Sequence, residues 1–229
     1  MPVRLDCIVT GTDTGIGKTW VSAGLMRGIS AIGLRVAGMK PIASGCRRTR
    51  DGLRNEDAEI LQSLASVPSP YELVNPVSLL DAVAPHIAAA RAGLQIDLAV
   101  IRAAYQQLRA QTDAVVVEGI GGWRVPISGS STTADLVREL ELPVVLVVGL
   151  RLGCINHALL SAEVMAADGI PLAGWVANSL SAGYAEGTET INYLSEHIAA
   201  PLIGTIPFLE EFLPDQVAAT LAVDLLAVG

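Results

Sequence analysis

Lysine is almost missing from this chain. Of its 229 residues two are lysines, Lys18 and Lys40, against thirteen arginines. Aromatic residues make up only 4%, so a core has to be built chiefly from Ala, Val, Leu and Ile, as suits packed layers of helix and sheet. Positive charge is outnumbered, and a net charge of −8 argues against a nucleic-acid binder or a protein drawn to an anionic membrane by bulk electrostatics. Cysteine is scarce too. Cys7, Cys46 and Cys154 are odd in number and lack metal-ligand spacing, so they read as reduced thiols in a cytoplasmic protein. No apolar run is long. "PVVLVVGL" stops at Arg151, far short of a bilayer span, and "MPVRLDCIVTG" has no signal-like apolar core and reads as a first strand. Repeats, low-complexity tracts and linkers are also missing, and residues 1–229 read as one domain, long enough to bury well over half of its unfolded surface.

What remains is an alternation of short β-branched runs with longer Ala- and Leu-rich segments. Strands are expected at Leu5–Thr10, Arg35–Lys40, Ala114–Glu118, Val144–Gly149, Leu172–Asn178 and Leu202–Ile206. Helices are expected near Lys18–Ala31, Glu56–Ala65, Leu98–Ala110, Ala134–Leu140, Cys154–Ala167 and Glu186–Ile198. Tyr71–Val74 reads as a further short strand ended by Pro76. Near-continuous apolar strands alternating with helices predict an α/β fold, a mostly parallel sheet with helices on both faces. Ligands of such sheets sit beyond the carboxyl ends of the strands. Those ends carry a Gly-rich loop, Lys40, Glu118 and Asn178.

The loop "IVTGTDTGIGKTW" follows the first strand and opens a helix. Gly17, Lys18 and Thr19 form the GKT end of a phosphate-binding loop, in which backbone N–H groups and Lys18 meet phosphate oxygens and the Thr19 hydroxyl is offered to Mg²⁺. Five residues separate Gly11 from Gly17, one more than the usual spacing. The strand "DAVVVE" ends in Glu118, a carboxylate costly to bury alone and suited to a magnesium ion; the "GIGG" that follows lets backbone pass close to a ligand. Asp57 falls in the first turn of a helix, where an acid stabilises the dipole whether or not it also binds metal. Lys40 at a strand end is either a snorkelling side chain or a point charge for anions.

"GTDTGIGKT", "GMKPIASG", "LRNEDA", "VEGIGGW", "LGCINHALL" and "GWVAN" stand in an order and spacing that resembles dethiobiotin synthetases, from about Ile8 to Leu209. The resemblance covers the long phosphate loop and implies a single-domain P-loop NTPase-like fold. It implies an ATP- and Mg²⁺-dependent enzyme of biotin biosynthesis that joins CO₂ to the two amines of 7,8-diaminononanoate, through a carbamate and a carbamic-phosphoric anhydride, releasing ADP and phosphate. Carried onto this sequence, Lys40 and Lys18 are catalytic, and Thr19, Asp57 and Glu118 hold the metal. Gly15, Ile16, Gly17, Lys18, Thr19, Trp20, Asp57, Glu118, Gly119, Ile120 and Gly121 surround the triphosphate end of ATP. Asn178 and Ser179 meet adenine, with Pro207, Phe208 and Leu209 as a wall. Thr14 and Ser44 face the substrate, as do Gly153, Cys154, Ile155 and Asn156 at a helix start that reaches the neighbour's site in a homodimer.

Two departures accompany the resemblance. Gly15 stands where the family often has an acid, and either Tyr184 or Tyr193 is the tyrosine facing the substrate. His86, His157 and His197 are not grouped at metal spacing and read as ordinary polar residues, and Trp123 either shields the site or packs. A partitioning ATPase would carry an early loop lysine where this chain has Thr12 and Asp13, and its tail "VAATLAVDLLAVG" has no basic residue for DNA or membrane. An amidating synthetase would need a glutaminase domain, for which 229 residues leave no room.

Overall fold

A computed structural model describes residues 5–226, so both extremities of the expected 1–229 domain lie outside the described residues. The chain opens with β1 (Cys7–Gly11), α1 (Lys18–Ala31), β2 (Val36–Met39), β3 (Ile42–Ala43), β4 (Arg47–Thr49) and β5 (Gly52–Arg54). Next come α2 (Glu56–Leu64), α3 (Tyr71–Val74), β6 (Val77–Ser78), α4 (Pro85–Arg91), α5 (Leu98–Gln111), β7 (Ala114–Glu118) and α6 (Thr133–Leu140). The remainder is β8 (Val144–Leu150), α7 (Cys154–Ala167), β9 (Leu172–Ser179), α8 (Gly187–His197), β10 (Leu202–Ile206) and α9 (Pro214–Ala218).

The six expected long strands make one sheet in the order β10-β9-β8-β1-β7-β2, every pair of it parallel. Strand alternation splits the core into two layers. Ile8, Val115, Val117, Leu146 and Trp175 point to one face, where Ile101 and Leu108 of α5, Leu136 of α6, Ala158 of α7 and Leu194 of α8 cover them. Cys7, Val9, Val116, Val145 and Val147 point to the other, under Val21 and Leu25 of α1, Leu61 of α2 and Val217 of α9. Burial on both faces is why these strands carry no polar alternation. Cys7, Cys46 and Cys154 are buried and unpaired.

Tyr71–Val74 corrects the sequence reading, for it is one turn of helix and not a strand. Pro70 opens that turn, and the Val74 and Asn75 N–H groups donate back to Pro70 and Tyr71. Extended backbone would carry the Tyr71 hydroxyl away from its partners, the Asn55 N–H at 2.8 Å and Asn75 Oδ1 at 3.1 Å. Among the described residues no helix is long and apolar enough to cross a membrane.

Candidate active site

Register builds the site. Met39 of β2 pairs with Val117 of β7, and Val9 of β1 with Glu118, so Lys40 and Glu118 emerge side by side next to the start of the phosphate loop. The Lys40 ammonium lies 2.5 Å from Glu118 Oε1 and 3.1 Å from Asp57 Oδ2. The Thr19 hydroxyl closes the group at 2.9 Å from Asp57 Oδ1 and 3.0 Å from Glu118 Oε1. Lys40 is 5% exposed and Glu118 1% exposed, so the charges meet where water screens them little.

Asp57 and Lys40 are each held from behind. Asn55 caps α2 by accepting from the Ala58 N–H, which fixes Asp57 in the first turn. Asn75, itself buried, donates to the Lys40 carbonyl at 2.6 Å, while the Lys40 N–H donates to the Val74 carbonyl at 2.7 Å. The Tyr71 hydroxyl joins the two supports by accepting from the Asn55 N–H and donating to Asn75. Sequence reading missed this brace, although the Asn75–Pro76 dipeptide is a turn signal.

Burial alone would push the Lys40 ammonium down; Glu118 and Asp57 more than offset it and hold the pKa above the ordinary lysine value. Burial pushes Glu118 up, with Lys40 pulling it back. Asp57 sits low despite its burial, because Lys40 and Thr19 favour the carboxylate. Burial first, and the repulsion of Lys40 second, bring Lys18 down to about 8. Its ammonium folds onto the Asp13 carbonyl at 2.8 Å, a place that a phosphate oxygen would take over.

The phosphate loop rests on a buried underside. Ile16 is a core plug whose side chain sits beneath Gly11 and Gly149, so only its backbone can serve a ligand. Gly17 takes φ 89, and a Cβ there would come within 2.2 Å of the Asn178 amide nitrogen. That nitrogen donates to the Ile16 carbonyl at 2.8 Å, so Asn178 props the loop from the end of β9 and does not line the cleft. Asp13 pairs with Arg151, tying the loop to the segment before α7.

Above the loop opens a cleft of about 930 Å³. Thr14, Gly15, Gly17, Lys18, Thr19, Trp20, Lys40, Ser44, Asp57, Glu118, Ile120 and Gly121 line it, which gathers most of the expected residues. Ile60, Val83, Pro85, Val125 and Phe212 line it too and carried no sequence signal beyond being apolar. Ser179, Pro207, Phe208 and Leu209 do not line it, and neither do Gly153, Cys154, Ile155 and Asn156. Ser44 Oγ and Glu118 Oε2 are buried without a hydrogen-bond partner. Trp123 is packed, donating to Asp168 at 2.7 Å, and so anchors the GIGG turn to the end of α7. Tyr184 is half-buried against Thr190, while Tyr193 is exposed and stacked on His197.

A magnesium ion fits this donor set. Two carboxylates and a hydroxyl converge as hard oxygens, and Glu118 Oε2 awaits a partner. Among the described residues no three His, Cys, Asp or Glu side chains cluster as a metal site, so Thr19 would be the third protein oxygen beside the two carboxylates.

The AAA domain family matches residues 6–216, a span that includes every cleft residue. The fold is similar to a ParA family ATPase from Chlorobium tepidum (TM-score 0.54, 13% identity, 96% of this chain and 92% of that one). It is also similar to the cell division protein MinD of Aquifex aeolicus (TM-score 0.56, 14% identity, 96% and 93%). Likeness at that identity speaks for a P-loop NTPase fold alone. Sequence goes further. An ATP-dependent dethiobiotin synthetase of Pseudomonas aeruginosa is 50% identical over 222 residues, 96% of this chain and 97% of its own. One of Janthinobacterium sp. is 46% identical over 225 residues, covering 96% and 95%. Identity of this order along nearly the whole of both chains makes this protein a member of the dethiobiotin synthetase family.

Proposed function

We propose that the cleft closes a cyclic urea from CO₂ and the vicinal amines of 7,8-diaminononanoate, driven by ATP with Mg²⁺, to give dethiobiotin, ADP and phosphate. The observation that carries this is the buried Lys40 ammonium, placed at once beside the two carboxylates and the Thr19 hydroxyl above the phosphate loop.

The first amine adds to CO₂ and loses a proton, giving a carbamate. A carbamate oxygen then attacks the γ-phosphorus; the bond to ADP breaks and a carbamic-phosphoric anhydride forms. The second amine attacks the carbonyl carbon, sheds its proton, and the C–O bond to phosphate breaks as the ring closes. Both reactants of the middle step are anions, and at about 4 Å two unit charges interact by roughly 4 kcal/mol at an effective dielectric near 20. Lys40 and Lys18 neutralise that approach, Lys40 as a compact charge able to turn between carbamate and γ-phosphoryl oxygens. Ser44 and Thr14 hold the carbamate end, and the unpartnered Ser44 hydroxyl suits that role. Thr19, Asp57 and Glu118 would hold magnesium, which would supply positive charge against the triphosphate.

The substrate's far carboxylate falls to the N-terminus of α7 in a second subunit. Gly153 to Asn156 are outside the cleft of their own chain, and Leu152 before them is 93% exposed, which suits a homodimer placing each α7 at its neighbour's cleft. Three unpaired thiols suit a cytoplasmic enzyme. Incubation with ATP, Mg²⁺, bicarbonate and the diamine should give dethiobiotin, seen by mass spectrometry with matching ADP, and each omission should abolish it. ADP without the ureido product would overturn the substrate assignment.

A further inference from the structure

Lys40, Ser44 and Asp57 belong to one stretch of chain between β2 and the first turn of α2, and β3, β4 and β5 within it lie outside the six-stranded sheet. Its register has to come from elsewhere, and residues 74–81 supply it. The Val77 and Leu79 N–H groups donate to the Pro41 and Ala43 carbonyls at 3.1 and 2.8 Å, joining β6 to β3, and the Gly45 N–H donates to the Asp81 carbonyl at 3.1 Å. Ser44 is thereby held between two fixed neighbours. Asn75 Oδ1 is the meeting point of two hydroxyls, Ser78 at 2.6 Å and Tyr71 at 3.1 Å, while its amide holds the Lys40 carbonyl. The Tyr71 hydroxyl also accepts from the N–H of Asn55, the cap of the helix that carries Asp57. One phenol thus spends its donor on the Lys40 side and an acceptor on the Asp57 side. Burial holds that phenol above its ordinary pKa, so the proton stays available to Asn75. The Arg54 guanidinium, 4.1 Å above the ring centroid, pins the ring in place.

We propose that Tyr71 is a positioning residue for phosphoryl transfer, its hydroxyl setting where Lys40 and Ser44 stand against Asp57. This rests on the function above and extends it to a residue that does not line the cleft. The Lys40 ammonium is 3.1 Å from Asp57, close enough to be held and still able to turn toward an anion. In such a constellation a misplacement of about 1 Å can cost about a hundredfold in rate. Without the hydroxyl, the Asn55 N–H loses its acceptor and the seam of residues 74–81 loses a tie to α2.

Tyr71→Phe is the test, because phenylalanine keeps the ring and its contact with Arg54 and removes only the hydroxyl. Turnover should fall by about tenfold or more, and the Mg²⁺ concentration for half-maximal activity should rise. Calorimetry with inorganic tripolyphosphate, without Mg²⁺, should show wild-type affinity, since Lys18 and the loop are untouched; that binding also certifies the fold. Asn75→Ala should repeat the pattern from the other end of the bond, and the double variant should lose no more turnover than the worse single one. Gln62→Met is the control. The Gln62 amide ties α2 to the Ser69 carbonyl at 2.8 Å, away from Asn55 and Asn75, so its loss should leave turnover and the Mg²⁺ requirement unchanged. Wild-type turnover in Tyr71→Phe, single losses that multiply in the double variant, the same losses in Gln62→Met, or tripolyphosphate binding lost in step with turnover overturn the positioning role and leave the function standing. A wild-type chain that forms no ureido product overturns the function and the positioning role with it.

Discussion

Replacing Lys40 by methionine lowers turnover by about 10²–10³-fold while a non-hydrolysable ATP analogue still binds, the loss expected when one preorganised positive group at a developing charge is removed. Methionine keeps the stem and removes only the ammonium, so the packing around β2 is preserved. The variant also loses stability. Glu118 would be left buried without its ion-pair partner, which costs about 3–5 kcal/mol in such pairs, on the order of 10 °C in Tm for a chain of this size. Adding Glu118→Gln to Lys40→Met removes both charges and should recover much of that Tm without recovering turnover. Thermal melts and steady-state rates on the single and double variants separate the two effects. A Lys40→Met enzyme turning over near the wild-type rate would refute the catalytic assignment.

Glu118→Gln carries the second large effect, and it falls on magnesium. An amide keeps the shape but gives up the charge that balances Lys40 and, on the proposed function, would balance a divalent cation. Losing that charge forfeits several kcal/mol of metal-borne stabilisation, a hundredfold or more in rate by roughly 1.4 kcal/mol per decade. The Mg²⁺ concentration for half-maximal activity should rise, whereas tripolyphosphate binding without Mg²⁺ should persist, because Lys18 and the loop N–H groups are untouched. An unaltered magnesium requirement would take Glu118 out of the metal site.

These two residues also mark the limit of what sequence discloses. Each is legible alone: a rare lysine after one strand, a carboxylate closing another. Their contact is not, because it spans 78 positions and depends on the register Met39 to Val117. Five of the long strands are legible because they are buried on both faces and therefore almost wholly apolar, β10 keeping an exposed Thr205, and α1 and α7 because glycines precede their regular stretches. Tyr71–Val74 misleads for the opposite reason. It is a short apolar run whose state is set by hydrogen bonds to Asn55 and Asn75, and no periodicity of four residues can outweigh them. Asn178 shows a subtler gap. Its position at a strand end is readable, but its bond to Ile16 joins residues 162 apart and exists because Gly17 leaves room for it.

The central claim is that a carbamate oxygen attacks the γ-phosphorus in this cleft, and oxygen labelling reads that step directly. With ATP, Mg²⁺, the diamine and CO₂ carrying ¹⁸O, a short single-turnover reaction should release phosphate bearing one ¹⁸O, with the other retained in the ureido carbonyl of the product. Phosphate free of label, formed alongside the ureido product, would contradict the account and place the phosphoryl transfer elsewhere.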